Sequence, residues 1–244
     1  MKPSDKEIFK KRLQLVLSHS GVCSRRRAME LIFQGHVTVN GQVTLEPSTP
    51  IDSARDKVCM DGILLQAKSH EYIILNKPAG YVTTLKDRHA AKTVRDLLPK
   101  NLRHLYPVGR LDKDTEGLLL LTNDGDAAYK LMHPKFHVDK TYCVGIQGRL
   151  KESDKACLEK GVSIDGRTTA PSKMSHVKYV ADTTEFQMTI HEGRKRQIRL
   201  MLASCGYKVI YLKRIIQGPL TLGNLKIGHW RVLQKEEIAA LHHL

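Results

Sequence analysis

Long apolar runs are missing from this 244-residue chain. No stretch approaches the ~18 consecutive apolar residues that a membrane-spanning helix needs, so none is expected. The opening residues Met1–Lys6 lack the apolar core of a secretory signal. Cysteine is sparse and unpatterned: Cys23, Cys59, Cys143, Cys157 and Cys205 are odd in number and show no C-x-x-C spacing. That excludes a disulfide framework and a thiolate zinc site, and predicts reduced core thiols in a cytoplasmic protein. The chain carries no glycine-rich dinucleotide fingerprint and no phosphate-binding loop motif. Internal repeats and low-complexity segments are also absent. Acidic residues are in short supply: 25 Asp and Glu face 40 Lys and Arg, leaving a net charge of +15 and an isoelectric point near 9.6. Such an excess points to a polyanionic partner, most often nucleic acid, against the plainer reading of a solvated basic surface.

What is present falls into two parts. Leu13, Val16 and Leu17 recur at helical spacing, and Gly21 ends that segment. Ser24 then caps a second helix carrying Ala28, Leu31 and Ile32 on one face. Two short alternating segments follow, turned by Asn40-Gly41 and Asp61-Gly62, the strongest short hairpin signals. The triplet Arg25-Arg26-Arg27 opens the second helix, where the macrodipole disfavours cations. An external anion would explain it, and so would a plain basic turn. Residues 1–68 are therefore expected to form a small αα-plus-β module, and residues 69–244 a larger domain. In the latter, strands are predicted over Tyr72–Leu75, Leu105–Val108, Thr141–Ile146, Thr184–Ile190, Lys208–Leu212 and His229–Leu233. Helices are predicted over Thr93–Leu98, Asp126–Met132, Glu152–Lys160, Arg194–Ser204 and Lys235–Leu241. Asp165-Gly166 signals one more hairpin. Strands outnumber helices and hairpins are frequent, so the class is α+β with a mixed, mostly antiparallel sheet.

The chemistry-bearing stretch is Gly109-Arg110-Leu111-Asp112-Lys113-Asp114-Thr115-Glu116-Gly117, followed by a Leu118–Leu121 run and an Asn123-Asp124-Gly125 turn. A loop tied to a buried strand holds a reactive side chain rigidly yet within reach of substrate. Asp112 stands between two cations, which favour its ionised form and suit a nucleophile or general base. A calcium loop also starts Asp-x-Asp-x-Glu-Gly, but its twelfth position here is Asn123, not a bidentate carboxylate. A magnesium-dependent RNA hydrolase using Asp112 and Asp114 is a second option. Elsewhere, Gly193-Arg194-Lys195-Arg196-Gln197-Ile198-Arg199 gathers four cations at an expected helix start, suited to phosphates or to pairing with a carboxylate. Tyr142, after Lys140-Thr141, is an aromatic placed at a strand start, suited to stacking on an extruded base.

Gly109–Asp112 with the trailing Gly117-Leu118-Leu119 resembles the catalytic motif of the pseudouridine synthases. The similarity is greatest to the branch that modifies ribosomal RNA and carries an N-terminal RNA-binding module. Asn76–Gly80, Lys140–Tyr142, Gly193–Arg199, Tyr211–Ile215 and Gly218–Leu220 resemble that branch too. Residues 12–62 are similar to the module of ribosomal small-subunit protein four. The resemblance implies isomerisation of a uridine in ribosomal RNA, free or in an assembling subunit, without cofactor or metal, by a monomer. It makes Asp112 the essential aspartate, Tyr142 the aromatic stacked on uracil, Arg199 the cation paired with that aspartate, and Leu212 an apolar wall. Lys77 and Pro78 match a turn that supports the site. Arg25, Arg26, Arg27, Arg110, Lys113, Arg194, Lys195 and Arg196 are the candidate RNA contacts. Leu131–Pro134 and Arg194–Arg199 lean toward a large-subunit target. A non-catalytic RNA-binding or ribosome-assembly protein remains the alternative, though binding alone leaves Asp112 on its buried strand unexplained.

Overall fold

The computed structural model describes residues 10–66, 69–84 and 92–244. Met1–Lys6, and residues 67 and 68 of the segment joining the two expected domains, lie outside them. The chain divides into two compact units, one ending at His70 and one beginning at Glu71.

The first unit runs β1 (Lys11–Arg12), α1 (Leu13–His19), α2 (Arg25–Phe33), β2 (Val37–Val39), β3 (Gln42–Val43), β4 (Pro50–Ile51), β5 (Val58–Met60) and β6 (Ile63–Leu64). Ser24 caps α2 as expected, its hydroxyl accepting from Arg27 N at 3.3 Å. The helices bury Leu13, Leu17, Ala28 and Ile32 against Val37, Ile51 and Val58. Both hairpins form. Asn40 and Gly41 have φ of 52° and 83°, and Asp61 and Gly62 have 47° and 80°, the paired left-handed conformation that a tight two-residue hairpin turn requires. The resulting strand order is β3-β2-β5-β6.

The second unit runs β7 (Tyr72–Lys77), β8 (Tyr106–Pro107), β9 (Glu116–Thr122), α3 (Gly125–Met132), β10 (Lys140–Gln147), α4 (Glu152–Lys160), β11 (Ser163–Ile164), β12 (Arg167–Thr168), β13 (Lys173–Val180), β14 (Thr183–Ile190), α5 (Gln197–Ser204), β15 (Val209–Gln217), β16 (Leu220–Thr221), β17 (Trp230–Val232) and α6 (Lys235–His242). Its main sheet has the order β13-β14-β10-β15-β9-β7-β17. Along this path, pairing is antiparallel except between β15 and β9. The Leu118–Leu121 run has a simple cause. Leu119 and Leu121 enter one core with Ile73 and Leu75, while Leu118 and Leu120 enter the other with Tyr72 and Ile74. A sheet covered on both faces needs apolar side chains at every position, not alternate ones. Among the described residues, no helix is long and apolar enough to cross a membrane.

Four expectations need correction. Asn123-Asp124-Gly125 is not a free-standing turn: Asp124 caps α3, accepting from Asp126 N at 2.9 Å and Ala127 N at 3.2 Å. The helix expected from Arg194 begins only at Gln197, because Arg196 takes a left-handed φ of 54°. Strand β13 went unanticipated; it lies at the sheet edge and buries only Met174, so its sequence shows no alternation. The cysteines are all free thiols, yet none is fully buried, and Cys157 is exposed.

Gly117 lies where β9 meets β15 in parallel, paired with Arg214. Its φ is +102°, and a Cβ there would stand 2.2 Å from Arg214 O. Gly117→Ala should therefore cost about 3 kcal/mol through backbone strain and overpacking. The expected readout is a melting temperature lower by roughly 6–12 °C, and an unshifted melt would contradict this account of the β9–β15 approach.

Candidate functional site

The loop between β8 and β9 is held from below by one buried cation. Lys77, at the end of β7, is fully buried. Its ammonium donates to the carbonyls of Thr115 (2.8 Å), Pro78 (3.0 Å), Asp112 (3.1 Å) and Lys113 (3.4 Å). Thr83 adds a second tie, its hydroxyl donating to Leu111 O at 2.7 Å and accepting from Leu111 N at 3.2 Å. Gly80 N donates to Lys113 O at 2.7 Å, and Thr115 N turns back to Asp112 O at 3.1 Å. The Asp112 backbone is thus fixed through its own carbonyl and those of its neighbours. Burial pushes the Lys77 pKa down to about 8, against the pull of Glu116, Asp114 and Asp112.

Above this loop opens a cavity of about 630 Å³. Asp112, Tyr142 and Leu212 all line it, together with Arg110, Arg194, Lys195 and Arg196. Tyr142 and Leu212 are 9% and 6% exposed, so both present little more than a cavity-facing surface. They share a sheet face: β10 and β15 pair Tyr142 with Arg214, and Val144 with Leu212. Lys113, Arg199, Lys77 and Pro78 do not line the cavity. Arg25, Arg26 and Arg27 are exposed on the first unit, with Arg27 paired to Glu30 at 2.8 Å.

The expected Arg199–Asp112 pair is replaced by another. Arg199 Nη2 lies 3.4 Å from Asp114 Oδ2 and donates to Asp114 O at 3.1 Å. Arg196 Nη1 lies 3.2 Å from Asp114 Oδ1. Partial burial opposes the Asp114 charge, but Arg199 and Arg196 outweigh it and hold the carboxyl below its usual range. The Asp112 carboxylate has no hydrogen-bond or ion-pair partner among the described residues. Asp114 is therefore engaged by two guanidiniums at the very position where a metal-dependent hydrolase would need a free ligand. Among the described residues no cluster of three metal-ligating side chains occurs.

The basic segment divides its labour. Arg194 turns inward, donating to Thr168 O at 2.7 Å and Arg167 O at 3.0 Å and lying 3.3 Å from Glu192. Lys195 and Arg110 are exposed cations without a protein partner among the described residues. Sequence reasoning passed over Thr83, Lys140, Arg214 and Gln217. The last three line the cavity. Arg214 follows Lys213 in a strand that ends on Gln217, so the sequence carries no signal for it; only its burial in the structure marks it.

Residues 71–204 match the family described as RNA pseudouridylate synthase, and residues 11–57 match the S4 domain. The chain is 40% identical to the Bacillus subtilis (strain 168) ribosomal large subunit pseudouridine synthase B over 235 residues, 96% of each. It is 38% identical to an uncharacterized RNA pseudouridine synthase of Aquifex aeolicus, covering 94% of this chain and 93% of that one. A crystal structure of a pseudouridylate synthase superposes with a TM-score of 0.68 at 32% identity, covering 94% of this chain and 99% of the other.

Lys77→Met should strand the loop carbonyls and destabilise the second unit by about 2–4 kcal/mol. Amide exchange at Leu111 and Thr115 should quicken in that variant. In the wild type the protection of the same amides, referenced to intrinsic exchange, should begin to fall as pH rises through about 8, where Lys77 loses one of its three donors. Global stability moves the other way. The folded-state pKa lies below the ordinary 10.5, so the unfolded chain binds more protons between the two values, and the Lys77 contribution grows as pH rises across them. Protection factors at residues 111–115, referenced to intrinsic exchange, that are unchanged by both pH and Lys77→Met would rule out the clamp.

Proposed function

The chain belongs to the RNA pseudouridylate synthase family, and on that premise we propose that it converts a uridine of ribosomal RNA to pseudouridine, with Asp112 as the reacting carboxylate. The observation that carries the residue assignment is the partnerless Asp112 carboxylate, on a pinned backbone, lining a cavity with Tyr142 and Leu212. The name of the Bacillus subtilis relative supports a large-subunit over a small-subunit target.

In this reaction the N1–C1′ bond breaks, uracil turns over within the site, and C5 bonds to C1′. N1 takes up a proton and C5 releases one, so the product is an isomer and nothing else is consumed. A free carboxylate serves either entry to this chemistry, attack on C1′ as in covalent glycosyl transfer or removal of the C2′ proton. In both, backbone fixation of Asp112 holds the oxygen against the ribose at no reorganisation cost. Tyr142 stacks on the base, and Leu212 lines the same wall beside it, keeping the freed uracil from escape. Arg199 acts indirectly, neutralising Asp114 rather than Asp112.

Reaching C1′ requires extrusion of the nucleotide from its stack, at a few kcal/mol. Phosphate contacts offset this: Arg25, Arg26 and Arg27 on the first unit, Arg110, Lys195 and Arg196 on the cavity lining, and Lys113 on the loop outside it. Arg194 supports this set from behind through Glu192 and the β12 carbonyls.

Asp112→Asn should abolish pseudouridine formation while keeping RNA affinity within a few fold, measured by single-turnover assay and filter binding on ribosomal RNA transcripts. Normal product from that variant would refute the assignment. Wild-type activity should survive chelation with RNA length unchanged. Affinity for RNA should fall steeply with salt, by a slope of roughly 0.7–0.9 per phosphate neutralised, and a flat dependence would contradict the cationic footprint.

A further inference from the structure

Three polar side chains on the cavity wall are not accounted for by the reaction. Lys140, Arg214 and Gln217 all line the cavity. Arg214 and Gln217 are 2% and 1% exposed. They share a face because β15 is bulged. Tyr142 pairs with Arg214 but Thr141 pairs with Ile216, so Ile215 is extra, and the shift brings Gln217 opposite Lys140 on the Tyr142–Arg214 face. Without the bulge, Gln217 would point to the other core.

The charges there are unbalanced. Arg214 Nε donates to Leu118 O at 2.8 Å, while its Nη2 is buried without an acceptor. Gln217 Oε1 is likewise buried and unpaired. The Lys140 ammonium donates to two neutral carbonyls, Val138 O at 2.7 Å and His191 O at 3.2 Å, which leaves its third proton unused. No salt bridge engages either cation among the described residues. Burial and the Arg214 charge both push the Lys140 pKa down, despite Asp139 nearby. Like charges held together on a cavity wall, with donors to spare, are costly unless an anion completes them.

We propose that Lys140 and Arg214 form a phosphate clamp for the extruded nucleotide, gripping one backbone phosphate next to the target uridine. This rests on the chain acting on RNA as set out above. One phosphate oxygen accepts the third Lys140 proton, and another accepts from the Arg214 guanidinium. Gln217, whose carboxamide can present either end, orders the wall between them. Lys140 and Arg214 are thus positioning residues: they fix the ribose against Asp112 by holding the phosphate attached to it.

The test uses a hairpin RNA containing the uridine that the wild-type enzyme converts, with each phosphate flanking that uridine replaced in turn by a neutral methylphosphonate. At one linkage the wild type should lose roughly tenfold or more in affinity, as expected for a charge-assisted contact. Lys140→Met should lose little further at that same linkage, while remaining as sensitive as wild type at the others. It should also show a higher KM and a lower kcat, a salt slope reduced by about 0.7–0.9, and recovery in Lys140→Arg. Arg214 is tested by the conservative Arg214→Lys, which should show the same linkage-selective loss. Equal methylphosphonate penalties in wild type and Lys140→Met at every linkage would overturn the clamp. A wild type that converts no uridine in either ribosomal RNA would instead overturn the functional reading beneath it.

Discussion

A single buried ammonium sets the geometry on which the site depends. Lys77 could satisfy its charge with a carboxylate; instead its contacts are four backbone carbonyls, three from the β8–β9 loop and that of Pro78. Burying a cation among neutral acceptors costs several kcal/mol before compensation, and the lowered pKa of Lys77 is the trace of that cost. What the arrangement gives in return is directional. Three N–H vectors leaving one atom can gather carbonyls from separate residues, which no planar or single-donor side chain does as well. The loop is thereby fixed by its backbone, and the Asp112 side chain is left free. Had Asp112 been held through its own carboxylate, the same hydrogen bonds would have satisfied the lone pairs that its proposed reaction needs.

The strand arrangement supplies the opposite wall. The β9–β15 contact is the parallel one in the main sheet, and it is close enough that a glycine is required at 117. That contact places the strand leaving the Asp112 loop beside the strand carrying Leu212, Arg214 and Gln217. Tyr142 then arrives from β10 on the other side of β15. Two residues distant in sequence from Asp112 are brought to it by sheet order alone. The bulge at Ile215 refines this, changing which face the last residues of β15 present without altering the strand path.

Much of the fold could be read from local rules, and its failures have local causes too. Asn40-Gly41, Asp61-Gly62 and Asp165-Gly166 predict hairpins because both central residues must take positive φ, and all three pairs do. The Leu118–Leu121 run predicts a doubly covered strand because no exposed face would tolerate it. By contrast, β13 is hidden: an edge strand with one buried residue carries no period to detect. The start of α5 was misplaced because a run of cations with good helix propensity says nothing about a left-handed Arg196. At the site, Asp112, Tyr142 and Leu212 were visible as motif residues and do share a cavity. The partner of Arg199 was not visible. Asp112 and Asp114 are two residues apart on either side of Lys113, and only tertiary placement decides which one meets the guanidiniums.

That last choice gives the two carboxylates contrasting environments, which is the physical basis for proposing Asp112 and not Asp114 as the reacting one. Arg196 and Arg199 saturate Asp114 and hold it charged below the usual carboxylate range. A carboxylate so stabilised is a poor nucleophile and a poor base, because any transfer of its charge forfeits both ion pairs. Its role is to anchor the 194–199 segment to the loop, so that the cavity has a defined rim on the side of Ile198 and Gln197. Asp112, two residues earlier, has its backbone equally constrained and its oxygens unpaired. Neighbouring acids in contrasting environments divide into structural and chemical roles. Here the division accompanies the loop's turn: Thr115 N folds back to Asp112 O, while the Asp114 side chain meets two guanidiniums and the Asp112 side chain lines the cavity unpaired.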